Sequence, residues 1–110
     1  MNANEKMVSA RIQLLLNQPF FGNIATRMPV MCSTSHGHTM ATDMENIYFH
    51  EDFVDKLNIQ ESVFCLCHEI LHCVFEHGLR LGSRIHKLWN VAADYAVNGI
   101  LVKNKIGSPP

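Results

Sequence analysis

Residues 58–75 read Asn-Ile-Gln-Glu-Ser-Val-Phe-Cys-Leu-Cys-His-Glu-Ile-Leu-His-Cys-Val-Phe. Asn58 followed by Glu61 has the pattern of a capping box, in which each residue satisfies an orphan backbone donor of the other at a helix start. The spacing predicts a helix from Ile59 to about Leu81, where Gly82 supplies the stop. Around that helix Phe64, Leu66, Cys67, Ile70, Leu71, Val74, Phe75, Leu79 and Leu81 cover most of the circumference, so it is expected to be largely buried. The polar residues Glu61, Ser62, His68, Glu69, His72, Glu76 and Arg80 fall in one stripe, which suits the wall of a cleft better than an open solvent face.

Inside the stripe lies His68-Glu69-Ile70-Leu71-His72, an H-E-x-x-H pattern. Four residues along a helix is about 40° of rotation and one turn of rise, so both imidazoles face one way and can hold a single tetrahedral zinc ion. Glu69 adjoins the first ligand, where its carboxylate can take a proton from water activated by the metal. The bland alternative is a helix carrying two solvated or packed histidines.

A catalytic zinc takes three protein ligands and keeps one position open. The candidates for the third are His77, His86, Asp94, Asp43 and the loop pair His36 and His38. His77 points about 140° away from His72 on a regular helix, which suits a packing role. Asn90, Asp94 and Asn98 form an i, i+4, i+8 stripe on a second helix, expected from about Leu88 to Val102 and otherwise apolar. A solvated face would usually carry Lys and Glu, so this stripe reads as a set of groups that need buried partners. Its competing reading is a polar seam bonded to a neighbouring loop. One carboxylate and two neutral imidazoles would leave zinc a net charge of +1, acidic enough to activate water.

Working outward, Met7, Val8, Ile12, Leu15 and Leu16 recur at helical spacing over Asn4 to Asn17, and Pro19 ends that pattern. Phe20 to Thr26 reads as a connection, Met28 to Cys32 and Ile47 to Phe49 as short strands, and Ser33 to Thr39 as loop. Residues 1–110 are expected to form one domain, since this length supports a single core. A formal charge of -1 and only 17% charged residues give no reason to expect nucleic acid or an anionic membrane as a partner. No apolar run reaches membrane-spanning length and the N-terminus lacks a signal-peptide pattern. Cys65 and Cys67 point roughly 160° apart on a helix, so Cys32, Cys65, Cys67 and Cys73 read as buried free thiols in a reducing cytoplasm.

The segments Ala41-Thr-Asp through Ile47-Tyr-Phe, His-Glu-Ile-Leu-His, Glu76-His-Gly-Leu-Arg80 and Trp89-Asn-Val-Ala-Ala-Asp-Tyr-Ala-Val-Asn98 together carry a resemblance. Over roughly residues 40 to 102 the chain resembles the zincin-like metallopeptidase domains of bacteria and their phages that often precede a von Willebrand factor A-like domain. The resemblance implies metal roles for His68 and His72 and the base role for Glu69. Asp94 resembles the acidic third ligand that gluzincins and aspzincins place on a second helix, here with twenty-one residues between it and His72. It also implies an edge strand that holds an extended substrate beside the motif helix, for which Ile47 to His50 is the candidate. Members of that family commonly carry Gly after the Thr-Asp pair where this chain has Met44, so the turn is expected to differ. They usually continue beyond residue 110, so the resemblance implies, as an expectation, that residues 1–110 are the N-terminal part of a longer architecture.

The expectation is therefore an α+β, zincin-like fold: a central H-E-x-x-H helix, two further helices and a small sheet. Its function would be zinc-dependent hydrolysis of peptide or protein substrates in the cytoplasm, with Tyr95, His77 or His86 as candidates to stabilise the oxyanion. Two rivals stand beside it. One is a non-enzymatic module in which zinc holds the fold together, and the other is a metal-free helical interaction domain.

Overall fold

Asn2 and Asn58 open two helices by the same device. Each side chain accepts the backbone N–H of the residue three further on, Glu5 or Glu61, at 2.8 Å, and that glutamate reaches back to the asparagine N–H. The computed structural model of the chain describes residues 1–75 and 86–110, and of residues 86–90 the backbone alone. Among the described residues it is an α+β arrangement of five helices and three strands: α1 Ala3–Asn17, α2 Pro19–Ala25, β1 Val30–Cys32, β2 Met40–Thr42, β3 Ile47–Phe49, α3 Glu51–Asp55, α4 Ile59–Val74 and α5 His86–Lys103.

The core is built around α4. Leu66, Cys67 and Ile70 are fully enclosed by Ala10 and Leu14 of α1, Phe21 and Ala25 of α2, Ile47 of β3, and Val97 and Leu101 of α5. A smaller cluster of Ala3, Met7, Phe49 and Val54 ties the start of α1 to the sheet and to α3. The tail folds back over the beginning of α4, burying Ile106 and donating Ser108 N–H to the Gln60 carbonyl at 3.1 Å.

Several elements depart from the sequence reading. α4 ends at Val74 with Phe75 in a turn, short of the expected Leu81; residues 76–81 of the expected span lie outside the described residues. The stripe that α1 buries is Ala3, Met7, Ala10 and Leu14, whereas Val8, Ile12, Leu15 and Leu16 face outward. Small residues permit close helix packing there, and Gly22 shows how close. A Cβ on it would lie 2.6 Å from Leu15 Cα, so α2 approaches α1 backbone to backbone. That contact is why Phe20 to Ala25 is helix rather than a connection. Cys32 is exposed, while burial pushes the Cys65 and Cys67 thiols up to about 12, and all four cysteines are free.

The strand order is β1-β3-β2, with β1 parallel and β2 antiparallel to β3. Ile47–Phe49 is thus the middle strand and not the expected edge. The outer strand β2 packs against α4, and Thr42 Oγ1 lies 3.2 Å from Cys73 Sγ at the end of that helix.

The β2–β3 turn keeps the left-handed geometry suited to glycine although Met44 occupies it, at φ 77°. Asp43 holds this turn by accepting the N–H groups of Glu45 and Asn46 and the hydroxyl of Tyr48 at 2.7 to 3.0 Å, which draws its carboxyl well below the usual carboxylate range. A left-handed L-residue costs roughly 1–2 kcal/mol, and glycine returns roughly 0.4–1 kcal/mol of that through the unfolded state. Met44→Gly is therefore expected to stabilise the chain by about 0.5–1 kcal/mol, read as a higher urea midpoint at unchanged slope.

Candidate metal centre

α4 and α5 each supply two side chains one turn apart. His68 and His72 project from the last two turns of α4, and Asp94 and Asn98 answer them from α5. His68 Nε2 and His72 Nε2 lie 2.9 Å apart, and Asp94 Oδ1 lies 3.0 Å from the first and 2.9 Å from the second. These three residues are the one group among the described residues whose ligand atoms converge in this way. Atoms able to accept hydrogen bonds repel each other at such range unless protons or a cation sit among them. A tetrahedral zinc ion with bonds of ~2.0–2.2 Å sets ligand atoms ~3.3 Å apart, so the triangle needs to open by only a few tenths of an ångström.

Glu69 stands beside this triangle and is 8% exposed. Burial pushes its carboxyl up to about 7, the charge of Asp94 pushes in the same direction, and His68 opposes both. His68, Glu69 and Asn98 line a cavity of about 230 Å3 together with Thr39, Met40 at the start of β2, and Phe53. A reacting group in that cavity would touch the histidine, the glutamate and a strand edge at once.

A family model described as a putative metallopeptidase domain matches residues 2–110 of the chain. The chain belongs to that family. No curated protein and no solved structure matches it. Membership of that family suggests a metal ion, and the His68, His72 and Asp94 group has ligand atoms that could hold one.

The other candidates of the metallopeptidase reading fall elsewhere. Asp43 is committed to its turn, as described above. His36 accepts or donates a hydrogen bond at 2.8 Å with Ser33 Oγ and stacks on Tyr48 with ring centroids 3.7 Å apart, and His38 is exposed. Replacing His36 and His38 together with Ala is expected to leave metal stoichiometry at one per chain by elemental analysis; loss of metal would reassign the third ligand. His77 and the side chains of His86 and Asn90 lie outside the described residues. Tyr95, a candidate oxyanion stabiliser, turns outward at 78% exposure.

The stripe on α5 is less enclosed than expected. Ala93, Val97 and Leu101 are buried and Ile100 packs against the core, while Val91, Ala92 and Ala96 are exposed, so Asp94 and Asn98 sit where the helix meets solvent. Asp94 is half-exposed and still finds both histidines. The sequence reading gave Asn98 no task of its own. Its Oδ1 is 2.7 Å from His68 Nδ1, and the signal for this was its spacing of one turn from Asp94.

Proposed function

We propose that the chain hydrolyses peptide bonds at a zinc ion held by His68, His72 and Asp94, with Glu69 as general base. The observation that carries this reading is the convergence of three ligand atoms at 2.9 to 3.0 Å beside a buried carboxylate and an open cavity. When bound, zinc supplies the Lewis acidity that makes water nucleophilic near neutral pH and polarises a carbonyl. Glu69 takes the proton from that water and later returns it to the departing amine. An extended substrate lies along β2, the outer strand whose Met40 lines the cavity, in place of the middle strand β3. Family membership supports peptide or protein as the substrate class.

Three protein ligands would leave the fourth position open for water, as a catalytic site requires, whereas a structural zinc module closes its site with four. Elemental analysis together with mass-spectrometric detection of cleavage in a mixture of unfolded peptides tests the reading. One zinc per chain is expected, with cleavage that stops on chelation and returns with zinc. Bound zinc without cleavage of any peptide, together with a fourth protein ligand, would establish the structural module in its place.

A further inference from the structure

We propose that Asn98 is a positioning residue that fixes the tautomer and orientation of His68, an inference that rests on the metal-site reading above. The side-chain oxygen of Asn98 is only an acceptor, and it lies 2.7 Å from His68 Nδ1. A hydrogen bond at that distance requires the proton on Nδ1. In the neutral imidazole, the form that binds a metal, the same proton placement leaves a lone pair on Nε2, the ring atom that meets His72 Nε2 at 2.9 Å and Asp94 Oδ1 at 3.0 Å. With His68 in this form, the contact to Asp94 sets one lone pair against another, an arrangement that a cation relieves.

The backbone supplies the geometry. Asp94 and Asn98 are one turn apart on α5, as His68 and His72 are on α4, so the two helices face each other through two pairs of rungs. Asp94 reaches the inner edge of the imidazoles and Asn98 the outer edge of the first one. Outer hydrogen-bond partners of this kind orient a histidine ligand and are typically worth about 10–100-fold in metal affinity. Asn98 also lines the cavity, so contact with substrate is the competing role.

The test uses the metal-free chain first. Long-range nitrogen-15 correlation spectra of His68 are expected to show the Nδ1–H form in the wild type, a shift toward Nε2–H in Asn98→Ala, and return of Nδ1–H in Asn98→Asp, whose carboxylate also accepts. Zinc affinity, measured by competition with a chelating dye, is expected to fall about 10–100-fold in the alanine variant and to recover in the aspartate variant. A wild-type His68 carrying its proton on Nε2, or an Asn98→Ala variant that raises KM with tautomer and zinc affinity unchanged, would overturn the proposal. Asn98 is exposed, so both variants should fold, and thermal unfolding followed by circular dichroism verifies it. Failure of the metal site itself reads differently: zinc would not bind the wild type at all, while the tautomer in the metal-free chain would still report on Asn98.

Discussion

Glu69→Gln is expected to bind one zinc per chain and to hydrolyse peptides about 10²–10⁴-fold more slowly than the wild type, the range that a positioned proton-transfer group contributes. The amide keeps the shape and the burial of the carboxyl, so the packing of α4 against the cavity wall should survive. It cannot take a proton from water. A second effect follows from burial. The folded chain holds the Glu69 carboxyl at about 7 against an ordinary 4.5. A carboxyl whose folded pKa is raised stabilises the protonated fold, and that contribution is lost as pH rises from about 4.5 through about 7. In the metal-free chain, Glu69→Gln should therefore gain stability relative to wild type at pH 8 and lose that advantage at pH 4. Denaturant unfolding of both proteins at the two pH values checks the sign. Full cleavage activity in the zinc-loaded variant would remove Glu69 from the mechanism.

The parts of this fold that were legible in the sequence are those whose signals are local. Capping boxes at Asn58 and a long apolar pattern announce α4, and the i, i+4 spacing of His68 and His72 needs only a helix to bring the rings together. β1 and β3 showed in their β-favouring residues. What escaped depends on partners distant in sequence. Pro19 reads as the end of α1, yet it is also the first residue of α2, a position where its missing N–H costs nothing. Seven residues are too few for a periodic pattern, and α2 owes its existence to the backbone contact that Gly22 permits. β2 has the weak sequence Met-Ala-Thr and becomes a strand because β3 pairs with it. Strand order is nonlocal in the same way. Nothing in Ile47 to Phe49 says that β1 will pair with it in parallel and turn an expected edge into the middle of the sheet. The α5 stripe was seen as polar groups in need of partners, but its half-exposed setting and the division of labour between Asp94 and Asn98 depend on how α5 lies across α4.

Asp94→Ala should separate metal binding from chemistry in the opposite direction to Glu69→Gln. Asp94 Oδ1 is the only anionic atom of the converging triangle, 2.9 to 3.0 Å from both imidazole Nε2 atoms. Its removal leaves two neutral donors for the ion, so zinc affinity should drop by more than the about 100-fold that loss of an outer partner costs. Because a ligand that binds only the folded chain stabilises it by mass action, each 100-fold of lost affinity removes about 2.7 kcal/mol of the stabilisation that saturating zinc provides. The metal-free chain should respond far less. Asp94 is 54% exposed on its side chain, and an ion pair so open to water contributes at most about 1 kcal/mol. The expected pattern is thus a wild-type melting curve that zinc shifts strongly upward and a variant curve that starts near the same place and barely moves. Wild-type zinc affinity in Asp94→Ala would exclude it as a ligand and turn attention to His86 at the start of α5. A variant that loses stability equally with and without zinc would mean that Asp94 holds α5 against α4 by its hydrogen bonds to the two histidines alone.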